Sequence, residues 1–225
     1  MPSSDFWPGS RVDARLPLVT LVARNGQPIL DPKTGEQKQM PTSAWLAKQA
    51  PIEQITWAPG LPQIVRHQLT MEGGWFERKN ATVLNLYRPP CVQLGDASRS
   101  EPWIAHVRKI YPNDADHIIA FLAHRVKRPQ EKINHALVLG GVQGVGKDTL
   151  LAPVKYAVGA WNFAEVSPQQ TLGRFNGFLK SVVLRISEAK DMGEVDRFKF
   201  YDHMKSYIAE PPETLRVDEK HLREH

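Results

Sequence analysis

Gly141, Gly144, Gly146 and Lys147 have the most chemically specific spacing in the chain, since Gly141-Val142-Gln143-Gly144-Val145-Gly146-Lys147 fits G-x-x-x-x-G-K. Glycines let such a loop wrap so that successive backbone N–H groups point at a phosphate, and the following helix adds the positive end of its dipole. Lys147 then reaches the β and γ phosphates of a nucleoside triphosphate as a point charge. A dinucleotide-binding G-x-G-x-x-G is excluded, because the order here is G-x-x-G-x-G with a lysine after it. The position after the lysine ordinarily holds Ser or Thr, whose hydroxyl binds Mg²⁺; here it is Asp148, with Thr149 next. Either Thr149 supplies the hydroxyl from a shifted helix start, or Asp148 holds the metal directly or through water. The segment assigned to ATP and Mg²⁺ therefore comprises Gly141, Gly144, Val145, Gly146, Lys147, Asp148, Thr149 and Leu150.

A second carboxylate follows a second apolar run. Val182-Val183-Leu184-Arg185-Ile186 leads through Ser187 to Glu188. An acid at the C-terminal end of a strand beside a phosphate loop is placed to bind the metal or to orient an attacking water. The Asp that usually precedes it is replaced by Ser187.

These groups need elements to hold them. His135-Ala136-Leu137-Val138-Leu139 reads as a buried strand feeding Gly140-Gly141, and a helix is expected over 147–158, closed by Gly159. Pro153 conflicts with that helix, because an interior proline removes a backbone hydrogen bond. The Val182 run reads as another strand, a helix is expected around 194–209, and Thr214 to Asp218 as a last strand entering a turn. Strand, helix, strand, helix on this scale predicts an α/β fold with a parallel sheet. Upstream, Asn113 or Asp114 caps a helix that carries Ile118, Phe121, Leu122 and Val126 and ends before Pro129.

Residues 1–100 differ in character. Extended runs at 18–22 and 82–86 are separated by turn chemistry at Asn25-Gly26, Asp31-Pro32-Lys33-Thr34-Gly35, Ala58-Pro59-Gly60 and Gly73-Gly74. One short helix is expected there, with Thr42 or Ser43 as its N-cap and Pro51 as its stop. The organisation expected is a mostly β accessory region over 1–100, a helical segment over 101–130 and a P-loop ATPase core from 131 to 225. Pro89-Pro90 and the polar stretch 95–100 make a linker.

Composition sets the class. The 225 residues carry 29 Lys and Arg against 24 Asp and Glu, a net charge of +5, which is compatible with nucleic acid without demonstrating it. Hydrophobic residues are 41%, too many for wholesale disorder. No apolar run approaches the ~18 residues of a membrane span, and the N-terminus lacks the pattern of a signal peptide. Cys91 is the single cysteine, so internal disulfides and Cys-cluster zinc sites are excluded, and a reducing cytoplasm is the expected setting.

GGVQGVGKDTLL, GRFNGFLKSVVLRISEA and the earlier TWAPG and VLNLYRPP together resemble the helicase part of phage and plasmid primase–polymerases, in superfamily 3 of the AAA+ ATPases. The resemblance spans roughly residues 55–225. It implies a hexameric ring that hydrolyses ATP to move along single-stranded DNA beside a primase, in a bacterial host cytoplasm. Carried over by position, it gives Lys147 and Glu188 the catalytic roles, with Mg²⁺ at Thr149, Asp148 and Glu188. Val217-Asp218-Glu219-Lys220-His221 resembles a DNA-tracking hairpin in which Lys220 and His221 follow the strand. The family's sensor Asn and arginine finger are expected beyond His225. Such a finger is worth ~10³–10⁵ in rate in related enzymes, so slow turnover by this chain alone is implied.

Other features have plainer readings. His106, His117, His124 and His135 are expected as satisfied or exposed histidines, and Trp45, Trp57, Trp75, Trp103 and Trp161 as scattered core and loop anchors in preference to a base-stacking platform. Phe198, Tyr201, Met204 and Ile208 form a packing stripe. Arg125, Lys127 and Arg128 sit where a helix C-terminus favours positive charge. Two functions compete with the motor. A P-loop nucleotide kinase also uses GKDT, but ordinarily places it near the N-terminus and adds an Arg-rich lid. A degenerate P-loop module for DNA binding or assembly is supported by Asp148 and Ser187.

Overall fold

A computed structural model describes residues 8–23, 25–49, 52–71, 74–188, 197–209 and 215–218. Pro51, Gly73, Thr214 and the expected hairpin residues Lys220 and His221 lie outside them. The described residues fall into two compact units, divided between Glu53 and Gln54. The architecture is mixed α/β, with small sheets and several helices. The change of character expected near residue 100 falls inside the second unit.

The first unit holds helix α1 (Gly9–Arg15), strands β1 (Val19–Thr20) and β2 (Gln39–Met40), and helix α2 (Thr42–Leu46). The antiparallel β1–β2 pair is closed by the two turns that the sequence marks. Gly26 and Gly35 take φ of 80° and 71°, where a Cβ is strained, and the Asp31 carboxylate accepts from the Lys33 N–H at 2.8 Å. Neither Thr42 nor Ser43 is the N-cap of α2. Pro41 occupies that position, Thr42 Oγ1 donates to the Pro17 carbonyl at 2.5 Å, and Asp13 of α1 accepts from Ser43 N–H at 2.8 Å and Oγ at 2.6 Å. A carboxylate from another helix thus does the capping.

In the second unit, strands β3 (Gln54–Thr56), β4 (Ile64–Met71) and β5 (Gly74–Asn85) form a sheet in the order β3-β5-β4, with β3 parallel and β4 antiparallel to β5. β5 is central, so its C-terminal half is buried at Ala81, Thr82, Val83 and Asn85. Helices α3 (Glu101–Ile110), α4 (Ala115–Lys127) and α5 (Lys147–Val158) pack around Val107, Ala115, Ile118, Leu122, Leu150 and Val154. Deleting a buried leucine from such a cluster costs about 2–5 kcal/mol. Asp114 is the N-cap of α4, though its side chain makes no capping hydrogen bond. α5 begins at Lys147 and ends before Gly159, and it runs unbroken through Pro153, which forfeits only the N–H directed at the Thr149 carbonyl.

Strands β6 (Phe163–Val166) and β7 (Val183–Ile186) form a parallel pair, with Phe163 opposite Val183 and Glu165 opposite Arg185. β6 has only four residues and follows a tryptophan-containing turn, which conceals it from pattern reading. The crossover between the strands carries helix α6 (Pro168–Thr171), fixed by a capping box in which Ser167 and Gln170 satisfy each other.

Three expectations are corrected. The 135–139 run is irregular: Leu137 and Leu139 pack against the helical cluster, Val138 is 91% exposed, the Gly140 N–H turns back to the Val138 carbonyl at 3.2 Å, and no ladder joins the run to β6 or β7 among the described residues. Leu215 to Asp218 is likewise not a strand; it is held by Asn176, whose side chain accepts from the Asp218 N–H at 2.7 Å and donates to the Arg216 carbonyl at 3.0 Å. On helix α7 (Arg197–Ile208), Met204 and Ile208 are half-buried while Phe198 and Tyr201 are exposed, so the aromatic half of the stripe is not core.

Candidate nucleotide site

The loop before α5 is built from backbone that only glycine accepts freely. Gly141, Gly144 and Gly146 have φ of 139°, 80° and 100°, and Gly146 is the N-cap of α5. The first helical bond runs from Leu150 N–H to the Gly146 carbonyl at 3.0 Å, so the N–H groups of Lys147, Asp148 and Thr149 precede the helical ladder. The Lys147 ammonium folds back on its own loop, donating to the carbonyls of Gly141 and Val142 at 3.0 Å each. These groups fit a polyphosphate: open N–H donors, a helix N-terminus and one flexible cation converge on a single loop.

Three aromatic residues from α3 and its C-terminal end hold the loop and the first turn of α5, and sequence reasoning missed all of them in this role. Trp103 Nε1 donates to the Leu150 carbonyl at 2.9 Å, and Tyr111 Oη donates to the Gly140 carbonyl at 2.7 Å. Burial pushes the Tyr111 phenol above its ordinary pKa, which keeps it a neutral donor. His106 Nε2 lies 3.0 Å from the Gly146 carbonyl; a carbonyl only accepts, so Nε2 carries the proton. The approach is close enough that a Cβ on Gly146 would stand 2.7 Å from His106 Cε1. The only sequence signal was the spacing Trp103, His106, Ile110, one face of a helix.

Asp148 is engaged elsewhere. Its carboxylate lies 2.5 Å from Arg185 Nη2 on β7, and Arg185 Nη1 lies 3.5 Å from Glu165 of β6. The hydroxyl-bearing Thr149 is exposed. Leu150 is fully buried in the helical cluster and its N–H is used within α5, so it is a packing residue, contrary to its inclusion in the cofactor-binding segment. Val145 is half-buried, its Cγ1 3.5 Å from the place a Gly141 Cβ would take. Ser187 continues the β6–β7 pairing, its N–H donating to the Val166 carbonyl at 3.0 Å. Glu188, the next residue, is exposed and has φ of 57°, a left-handed conformation that glutamate rarely adopts.

The far end of α5 is tied to the segments 56–60 and 83–90. In TWAPG and VLNLYRPP, Ala58 and Asn85 exchange two hydrogen bonds at 2.9 and 2.8 Å, and Trp57 meets Tyr87 edge-to-face at 5.6 Å. The Arg88 carbonyl then accepts from Trp161 Nε1 at 2.9 Å and Asn162 Nδ2 at 2.8 Å, directly after α5.

Arg125 is turned inward. Its guanidinium donates to the carbonyls of Val182, Pro129 and Glu131, and burial pulls its pKa down. It therefore positions the entry to β7. His117 and His135 face each other with Nε2 atoms 3.3 Å apart, and His124 pairs with Glu131 at 3.2 Å. Among the described residues no three His, Cys, Asp or Glu side chains converge as a metal site, and no helix is long and apolar enough to cross a membrane.

No protein-family model matches the chain, and no curated protein matches it by sequence. Among solved structures, it is similar to the apo structure of the C-terminal region (305–718) of NrS-1, with a TM-score of 0.50 and 17% identity over 74% of this chain. The match spans 38% of the length of that structure, and at this identity the likeness is one of fold.

Proposed function

We propose that this chain is the ATP-binding module of a phage-type replication motor, a P-loop fold of the superfamily 3 helicase kind. The observation that carries the reading is the loop itself: three glycines at positive φ, a helix N-terminus and Lys147 with its ammonium parked on two loop carbonyls. The fold likeness to the C-terminal region of NrS-1 is compatible with this reading and bears on the fold alone. Lys147 exchanges the Gly141 and Val142 carbonyls for β and γ phosphate oxygens, and the N–H groups at 147–149 hold the remaining charge. Mg²⁺ brought in with ATP would be held by Thr149, the better placed partner because Asp148 pairs with Arg185, and would supply positive charge beside the phosphates. Glu188 orients the attacking water. A hexameric ring, movement along single-stranded DNA and a neighbouring primase belong to the same reading.

The test is phosphate release from Mg-ATP with and without single-stranded DNA, with binding of a fluorescent ATP analogue measured in parallel. Lys147→Ala serves as the blank. Nucleotide binding and slow, DNA-stimulated release, both lost in that variant, are expected; no saturable ATP binding by the wild-type chain overturns the reading. The Asp148–Arg185 pair favours a second reading, a module that binds ATP without hydrolysing it. Binding with no release in any DNA condition identifies that alternative.

A further inference from the structure

We propose that the irregular middle of the β4–β5 hairpin is a phosphate-binding site for a single strand of nucleic acid, separate from the nucleotide loop. Between the pairs Arg66↔Thr82 and Gln68↔Glu77, His67 alone faces Arg78, Lys79, Asn80 and Ala81. His67 and Asn80 both adopt left-handed backbone, with φ of 60° and 68°, and the Asn80 N–H donates to His67 Nδ1 at 3.1 Å. Two non-glycine residues strained at one bulge are uncommon, and such bulges re-aim side chains out of the pleat. Here the re-aimed groups are charged. Arg66, His67, Gln68, Glu77 and Lys79 line one open groove, with two cations and an imidazole against one carboxylate. Arg66, Lys79 and Glu77 are all exposed, and among the described residues none of the three forms an ion pair.

The surroundings suit an extended polyanion. The hairpin is held firmly where it meets β3, because the Gln54 side chain donates to the Thr70 carbonyl at 2.7 Å and accepts from its N–H at 2.9 Å. Opposite Thr70 stands Trp75, half-buried and, by the two-residue alternation of β5, on the same face as Glu77. An indole beside a basic groove is a stacking platform for an unpaired base, and a duplex offers no free base face to it. Cations track the backbone and the aromatic takes a base, which is the division of labour in strand binding without sequence preference.

The experiment uses the full chain and a fluorescein-labelled 20-mer of thymidylate, without nucleotide, by anisotropy across a salt series. Arg66→Gln with Lys79→Gln is expected to weaken binding about tenfold and to reduce the slope of log K against log salt by roughly 1.4, two contacts at ~0.7 each. Glu77→Gln is expected to tighten binding about two- to fivefold. Trp75→Ala is expected to weaken it with an unchanged salt slope, and Trp75→Phe to restore it. Unchanged affinity and slope in the double variant, or tighter binding of a 20-base-pair duplex, overturns the proposal. Because Arg66 and Lys79 are exposed, an unaltered melting curve is expected for the double variant, and the single Glu77→Gln change tests the same field with the opposite sign. Lys147→Ala is expected to abolish ATP binding while leaving this DNA affinity intact, so failure of the nucleotide reading and failure of this one are told apart.

Discussion

Arg185 Nη2 lies 2.5 Å from Asp148 Oδ1 and its Nη1 lies 3.5 Å from Glu165 Oε1, so one guanidinium joins the first turn of α5 to both strands of the parallel pair. Asp148 stands where a metal-binding hydroxyl is ordinary, and its charge is already answered. The Asp148 side chain is 80% exposed, which limits the pair to about 0.2–1 kcal/mol. A double-mutant cycle of Arg185→Gln and Asp148→Asn, followed by urea denaturation, is expected to return a coupling in that range. Zero coupling would show the contact to be incidental. Arg185→Gln is also expected to increase the Mg²⁺ dependence of ATP binding, because it frees the carboxylate beside the loop.

His106 fixes the carbonyl of the residue that starts α5. His106→Ala deletes that hydrogen bond at a cost to stability of about 1 kcal/mol and, under the proposed function, loosens the start of α5 and weakens ATP binding. His106→Gln, which keeps an N–H donor, is expected to recover part of the loss. Gly146→Ala is expected to be far worse, since φ of 100° and a Cβ 2.7 Å from His106 both oppose it. Equal affinity in wild type and His106→Ala rules out a positioning role.

Asn85 is 1% exposed and satisfied on both sides of its amide: Oδ1 accepts from the Ala58 and Tyr87 N–H groups, and Nδ2 donates to the Ala58, Leu61 and Pro62 carbonyls. Asn85→Ala is expected to cost about 2–4 kcal/mol. Asn85→Asp keeps both acceptor bonds, yet sets a carboxylate against three carbonyls. It should be at least as destabilising at pH 7 and should recover in part at pH 4. Urea midpoints at the two pH values check this; a neutral effect of Asp contradicts the hub.

Capping by Asp13 has a pH signature. The Ser43 hydroxyl and then the Ser43 N–H, both donating to its carboxylate, hold Asp13 below its ordinary 3.8. A depressed folded-state pKa contributes stability above the unfolded value, and that contribution is lost as pH falls through the folded one. The Ser43 amide resonance is therefore expected to titrate with a midpoint below 3.8, and Asp13→Asn to abolish that titration. A midpoint at or above 3.8 removes the cap.

How much of this was legible depended on the range of each interaction. α5 was readable to the residue, from Lys147 to Gly159, because loop glycines and a C-terminal glycine are local signals. β7 was equally plain from its apolar run. β6 was not: it is as short as β7, but Phe163-Ala164-Glu165-Val166 has no flanking apolar run to mark it, and its pairing with β7 defines it. The partners of the loop were hidden for a similar reason. His106 and Gly146 are 40 positions apart, and the carboxylates that Arg185 meets, Asp148 and Glu165, lie on α5 and β6. A charge inside an apolar run marked Arg185 without identifying its partners. The two left-handed residues of the β4–β5 bulge leave no mark in composition at all.

Glu188 sets a local cost against a chemical use. At φ of 57° its backbone is strained by about 1–3 kcal/mol relative to an ordinary conformation, and glycine at that position removes the clash. Glycine also enlarges the unfolded ensemble, which returns roughly 0.5–1 kcal/mol of the gain. Glu188→Gly is thus expected to raise stability by about 0–2.5 kcal/mol, whereas Glu188→Gln retains the Cβ and changes stability little. Under the proposed function both variants lose DNA-stimulated phosphate release while still binding ATP. The two substitutions separate backbone from carboxylate: a gain in melting temperature confined to Glu188→Gly reports the strain, and a loss of turnover shared by both reports the acid. Full turnover in Glu188→Gln would remove Glu188 from the hydrolytic step and leave its strained backbone as a feature of the turn after β7 alone.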